Sequence, residues 1–421
     1  MAAKDVSNSN HNYLAVWATS IGHAYTHWFP ATFYLLLPLI KDELNLTYTE
    51  MGLLITVRYV ASAVANFPSG MLSDMFRRRE LLMTISLIWV GLPYIFVGLS
   101  SNYNVLLLCM IIIGTGNNLW HPAAISVLSD LYPKKKGWAM GWHASAANVG
   151  DALGPFLTGI LLAWMSWRAI LMVSFVPGLA LGVLIWWMLG EASRRAAAEE
   201  AKNILKDGAK KEKKPLSVKE YFAGLRKLII NPHVVILSLI NGVRSLTQNG
   251  LSTFLPSFFM QVQHLSPWLS GVYLSVIQVA GIVAAPVSGH ASDRYGRKKV
   301  TTMALFSTSI AIFLLAILDV PWLFVLFLGV VGFFLYSLRP VLFAWTMEVA
   351  PQELGGTAIG IQFTFQSVLA AVAPVVGGWI ADVWSLMATF YFLAATVFIS
   401  NLLVMLVKEP AHPGTESEKG V

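Results

Sequence analysis

Apolar runs of about 20 residues recur along the whole chain between short polar breaks, each long enough at about 1.5 Å per residue to cross a hydrocarbon core of roughly 30 Å. They predict twelve membrane-spanning helices over 13–40, 51–73, 81–100, 104–131, 137–163, 168–190, 233–260, 269–291, 300–319, 322–348, 355–381 and 386–407. Polar positions inside the runs keep a helical period. Asn241, Arg244 and Gln248 fall at i, i+3 and i+7 of the seventh span, and Arg58, Ser62 and Asn66 make a similar stripe in the second. The first run is too long for a signal-peptide core and lacks a small-residue cleavage site, so it is read as a retained helix.

Composition agrees with this pattern: 56% of the 421 residues are hydrophobic, 12% are charged, and the mean hydropathy is +0.64. The net charge of +7 suggests a nucleic-acid partner until its placement is considered. Apart from Arg58, Arg244 and Arg339 inside spans, every Lys and Arg except Lys41 and Arg168 falls in the termini or in alternate loops. That is an orientation signal, which predicts a multi-pass protein of the cell membrane, the inner membrane where the source is a bacterium, with both termini cytoplasmic and no nucleic-acid partner. The single cysteine, Cys109, lies within the fourth span and reads as an apolar packer.

A basic segment over 191–230 separates two halves, 1–190 and 231–421, each with six spans. The halves match at an offset of 219 residues, the distance from Gly70 to Gly289 and from Asp74 to Asp293; further on, Pro122 matches Pro340 and Asp130 matches Glu348 with a shift of one. Duplicated six-helix bundles of parallel topology predict a solute site near the midplane, opened alternately to either side.

After the second span stands GMLSDMFRRR (70–79), and after the eighth stands GHASDRYGRK (289–298). These resemble the loop signature of the major facilitator superfamily, G-x-L-x-D-R-x-G-R-[RK]; the first copy departs from it at Met75 and Arg77. The resemblance implies the superfamily fold of twelve helices and a cytoplasmic latch built from Gly70, Asp74 and Arg78 in one copy and from Gly289, Asp293, Arg294, Gly296 and Arg297 in the other. Asp130 and Glu348 are the expected partners of Arg78 and Arg297. In the fifth span, GDALGPFLTG (150–159) resembles the G-x-x-x-G-P motif of drug-proton antiporters: Gly150 and Gly154 share one face and permit close helix approach, and Pro155 bends the helix. The segments 23–54, WHPAA (120–124), 134–155 and RSLTQNGLSTFLP (244–256) are similar to the fosmidomycin-resistance group of efflux carriers, although His27 stands where that group carries an acidic residue.

Ionisable groups inside a membrane are costly and mark function. Arg58, Arg244 and Arg339 against one acid, Asp151, leave an excess of positive charge, and the guanidinium fork matches carboxylate or phosphonate groups. Arg58, Arg244 and Arg339, with Asn241, Gln248, His121 and Trp120, are therefore the candidate substrate-binding residues. Structural alternatives are snorkelling of Arg58 and pairing of Arg244 or Arg339 with Asp151. Proton coupling is assigned to Asp151 with His23 and His27, which lie four apart on one face. Spacing brings neither a carboxylate nor the thiol to those histidines, so no metal site is expected.

No nucleotide-binding or nucleophile motif stands in the chain, so no enzyme and no cofactor are expected. The reading is a monomeric secondary transporter exporting a small anionic or amphipathic compound in exchange for protons. The alternatives are proton-coupled uptake of an organic anion, metal-ion transport, and a non-transporting sensor; the last is set aside because no signalling domain is appended.

Overall fold

The computed structural model describes residues 2–75, 78–132, 135–207, 226–317, 321–351 and 354–408, leaving aside the side chains of residues 2–12, 67, 70, 71, 74, 75, 130, 136, 137, 191–207, 321, 322 and 356. Thirteen helices, besides a helical stretch over 226–230, account for most of the described residues. They are α1 (Ala2–Glu43), α2 (Tyr48–Met75), α3 (Arg79–Leu99), α4 (Tyr103–Asn117), α5 (Trp120–Leu131), α6 (Lys136–Leu161) and α7 (Trp167–Asp207), then α8 (Pro232–Ser257), α9 (Pro267–Tyr295), α10 (Arg297–Ile317), α11 (Pro321–Val349), α12 (Gly355–Val383) and α13 (Leu386–Val404). A π-turn, Phe258–Val262, prolongs α8. The expected linker begins as helix, since α7 continues to Asp207, and residues 208–225 of it lie outside the described residues.

The fourth span, expected as one helix over 104–131, is broken into α4 and α5. Pro122 has no N–H, and its ring clashes with the carbonyl four residues back, at Asn118, where the helix stops. The carbonyls at the break keep partners: Gly116 O accepts from the Leu119 N–H at 3.3 Å and from Ser86 Oγ at 2.9 Å, and Gly114 O accepts from Asn118 Nδ2 at 3.4 Å. Its counterpart Pro340 lies inside an unbroken α11. The preceding turn of α11 is Tyr336-Ser337-Leu338-Arg339, whereas α4 ends in Gly114, Gly116, Asn117 and Asn118, all poor helix formers.

Among the described residues eight helical stretches are long and apolar enough to cross a membrane, α4 and α5 counting as one. The four spans that fall short, α1, α2, α6 and α8, carry His23 and His27, Arg58, Asp151 and Arg244, while Arg339 and His121 lie in stretches apolar enough to qualify. Their dilution with polar residues is what separates them from the rest.

The chain divides into two compact units, the first Met1–Leu46, Leu53–Lys214 and Phe259–Ser275, the second Thr47–Gly52, Pro215–Phe258 and Val276–Val421. In the first unit, α1 packs on α6 through small residues. A Cβ at Gly150 would collide with the Ala24 backbone, and one at Gly154 would lie 2.8 Å from Ala31 Cβ. Thr32 and Thr158 hydroxyls join the same two helices at 3.0 Å. An apolar cluster containing Leu82, Leu87, Trp120, Ala123, Ala124 and Ile185 fills the space between α3, α5 and α7. Gly114 of α4 sits against the Arg58 carbonyl of α2, and in the second unit Gly332 of α11 sits against the Ile277 carbonyl of α9. This is one close contact kept in both halves of the duplication, and it places Ile277 where the first half has Arg58.

Candidate functional site

The first unit holds a histidine cluster. The close seating of α6 on α1 at Gly150 and Gly154 brings the intervening Asp151 to His27, with Oδ2 3.1 Å from Nδ1. One turn earlier on α1, His23 is 5% exposed; its Nδ1 is 2.6 Å from the His143 carbonyl and its ring stacks on the His143 ring at 3.9 Å. His121, at the start of α5, lies edge-on to His23 with ring centroids 5.0 Å apart. The sequence reading missed His143, whose signal was the series His143, Ala147, Asp151 at i, i+4 and i+8, facing His23 and His27 with a small residue between. The fold also brings a carboxylate, Asp151, and a third imidazole, His121, to the two histidines, neighbours that spacing along the chain did not show.

Trp120 requires a correction. It is fully buried in the core cluster, with its ring against Gly22 and Ile185, and so is a packing residue rather than a wall for substrate. Consecutive helical residues point about 100° apart, so its neighbour His121 faces the imidazoles while Trp120 does not.

Arg58, also in the first unit, donates from Nη2 to Tyr34 Oη at 3.0 Å and lies over the Tyr59 ring at 4.6 Å. Its Nε has no hydrogen-bond partner. This tyrosine setting was not legible in the sequence, since Tyr34 and Arg58 belong to different helices. Asp151 pairs with His27 rather than with an arginine.

In the second unit, Arg244 is 2% exposed. Its Nε donates to Asn241 Oδ1 at 3.0 Å and its Nη1 to Gln248 Oε1 at 2.8 Å, so the polar stripe of α8 serves to hold the guanidinium. Gln248 Nε2 in turn donates to Tyr336 Oη of α11 at 3.1 Å, and Asn241 Nδ2 to Gln366 Oε1 of α12 at 3.5 Å. The ion pairs found among the described residues do not include Arg244. Arg339 adds a second like charge within electrostatic range of it and lies near the Phe343 ring, 5.7 Å from its centroid. A buried cation held by neutral oxygens has its charge uncompensated, which is the arrangement an anionic ligand would complete.

Of the residues expected to form the latch, Arg297 contacts Glu348 at 2.9 Å and Asp293 at 2.6 Å, and also donates to Ser292. Gly296 has φ 94°, a left-handed conformation that accounts for glycine between α9 and α10. Arg294 is exposed and lies over the Tyr295 ring, and a Cβ at Gly289 would meet nothing within 4 Å. Arg78 Nε is 3.4 Å from Glu80, a buried acid the sequence reading overlooked. The side chains of Asp74 and Asp130 lie outside the described residues, and of Gly70 only its place in α2 is described. Pro155 is buried inside α6.

A Major Facilitator Superfamily profile matches residues 19–374 and 278–421. The chain belongs to that superfamily. As a superfamily member it is a multi-pass membrane protein of the secondary-transporter class and not an enzyme. A probable hexose phosphate transport protein of Chlamydia trachomatis is 23% identical to it over 91% of this chain and 88% of that protein. Membrane sensor protein UhpC of Escherichia coli K12 is 22% identical over 94% and 91%, and multidrug resistance protein MdtG of Proteus mirabilis 23% identical over 86% and 88%. A sensor protein is thus among the relatives matched over nearly their whole length, so chain length is no ground for setting that role aside. The crystal structure of a bacterial homologue of the lysosomal transporter Spinster, inward-facing and occupied, superposes with a TM-score of 0.78 at 13% identity, covering 94% of this chain and 96% of that one. At that identity the likeness concerns the fold alone.

Proposed function

We propose that this superfamily member is a proton-coupled exporter of a small organic anion, working by alternating access as a monomer with both termini in the cytoplasm. The observation that carries the anion is Arg244, fully buried, with its fork aimed by Asn241 and Gln248 and no acidic partner among the described residues. Arg339, and Arg58 in the other unit, add positive charge. Coupling is assigned to the hydrogen-bonded Asp151–His27 pair, with His23 beside it. Export is favoured by the G-x-x-x-G-P stretch, by the likeness to the fosmidomycin-resistance group and by the MdtG relative. A second reading, uptake of an organic anion, is favoured by the hexose phosphate relative.

The deciding experiment is reconstitution into liposomes with an imposed pH gradient and a panel of anionic, cationic and neutral solutes, beside direct binding to Arg244→Ala and Arg339→Ala. Anion movement that follows the gradient and weakened anion binding in both variants are expected. A preference for cations, or unchanged affinity in both variants, overturns the anion reading. Gradient-driven transport that survives both Asp151→Asn and His27→Ala overturns the coupling assignment.

A further inference from the structure

The histidine cluster of the first unit has features that hydrogen bonding alone leaves without a use. One candidate ligand nitrogen from each of His23, His27 and His121 lies within 4.8 Å of the other two. Imidazoles that bind a metal ion through one nitrogen characteristically donate from the other to a carbonyl or a carboxylate, which fixes the tautomer and the ring's orientation. Two of these rings are held that way: His23 Nδ1 lies 2.6 Å from the His143 carbonyl, and His27 Nδ1 lies 3.1 Å from the Asp151 carboxylate. Each bond leaves Nε2 with its lone pair. His23 Nε2 is buried without a hydrogen-bond partner, on a side chain 5% exposed. The His143 ring, stacked on His23 at 3.9 Å with an 8° interplanar angle, keeps that imidazole from swinging away.

We infer that His23, His27 and His121 form a binding site for a divalent transition-metal ion of the imidazole-preferring kind, such as zinc, nickel or copper. Asp151 and the His143 carbonyl orient two of its ligands. Three nitrogens around tetrahedral zinc at 2.0–2.1 Å stand about 3.4 Å apart. Closing from 4.8 Å is therefore a shift of about 1.4 Å, within the range of the soft imidazole χ2 torsion. The fourth position stays open for water. An all-nitrogen donor set excludes magnesium and calcium, which require oxygen ligands. The ligands come from α1 and α5 while their orienting oxygens come from α6, so a bound ion ties three helices of this unit together. It would also occupy the nitrogens beside the proposed coupling pair, which makes zinc an inhibitor of pH-driven transport.

The test is calorimetric titration of zinc chloride into tag-free purified protein in detergent at neutral pH, without any transported solute. One zinc per chain is expected, with affinity at least about tenfold weaker in His23→Gln and in His121→Gln and unchanged in Cys109→Ser. Visible absorption of added cobalt(II) reads the ligand field directly: d–d bands of a tetrahedral or five-coordinate ion are expected in the wild type and not in His121→Gln. Wild-type melting of each metal-free variant serves as the check on folding. Absence of stoichiometric zinc binding, or zinc affinity and cobalt spectra that both histidine variants leave unchanged, overturns the site. Neither result touches the anion reading, which rests on Arg244 in the other unit.

Discussion

Replacing Gly150 by alanine adds one methyl group at the place where α6 lies closest to α1. That Cβ would meet three backbone atoms of Ala24, its O, C and Cα, the last at 2.9 Å. Backbone cannot swing aside as a side-chain end can, so α6 must retreat by roughly 1 Å to restore ordinary contact distances. Asp151 is the next residue, and its 3.1 Å bond to His27 is carried to about 4 Å, beyond hydrogen-bonding range. Overpacking of this kind costs about 1–3 kcal/mol. The apparent melting temperature in detergent should therefore fall by roughly 1–4 °C, and pH-driven solute movement in liposomes should be lost while anion binding at Arg244 persists. Gly141 on the same helix is the matched control, because a Cβ there meets nothing within 4 Å. Gly141→Ala should melt no lower than wild type, alanine being favoured in a helix by about 1 kcal/mol. A Gly150→Ala protein that melts with the wild type and still responds to a pH gradient would refute the seating argument.

Three further outcomes follow from the same geometry. Arg244→Lys keeps the charge but loses the fork held by Asn241 and Gln248, so anion affinity measured by equilibrium binding should weaken by about 10–100-fold. Gly296→Ala forces an L-residue into φ 94° and should cost about 1–2 kcal/mol in detergent unfolding, whereas Gly289→Ala in the same motif should cost little. The Glu43 carboxyl is held below the usual carboxylate range by the Trp167 indole and by Arg168. Its native pKa is thus the lower one, so its stabilisation is present above the unfolded value of about 4.3 and is lost as pH falls through the native value. The melting-temperature gap between wild type and Glu43→Gln should close across that acid window.

Spans were legible wherever the chain is uniformly apolar, and the halves were legible because glycines, prolines and acids recur at fixed offset. Arg58, Arg244, Asp151 and the α1 histidines stood out because an ionisable group in an apolar run has no ordinary reason to be there. Their partners did not stand out. His143, Tyr34, Tyr336 and Glu80 acquire meaning only from helices that meet after folding, and nothing in a one-dimensional period records which faces meet. Trp120 shows the opposite error: grouped with the polar substrate-binding candidates, it folds into the apolar core. The break at Asn118 was readable in principle from Pro122 and its glycine- and asparagine-rich approach, yet the continuous hydropathy of 104–131 masked it.

That break gives the two copies of the duplication different mechanics. At the α4–α5 joint the main chain is held by the short-range bond from Leu119 N–H to Gly116 O at 3.3 Å, supplemented by the side chains of Ser86 and Asn118, while α11 runs through the matching stretch as one helix that lacks the N–H of Pro340. His121 therefore rides on a short lever with a loose pivot, and Arg339 on a stiff beam. In deuterium exchange, amides around 116–122 should exchange ahead of those around 334–340, and the surroundings of His121 should change shape before those of Arg339 do.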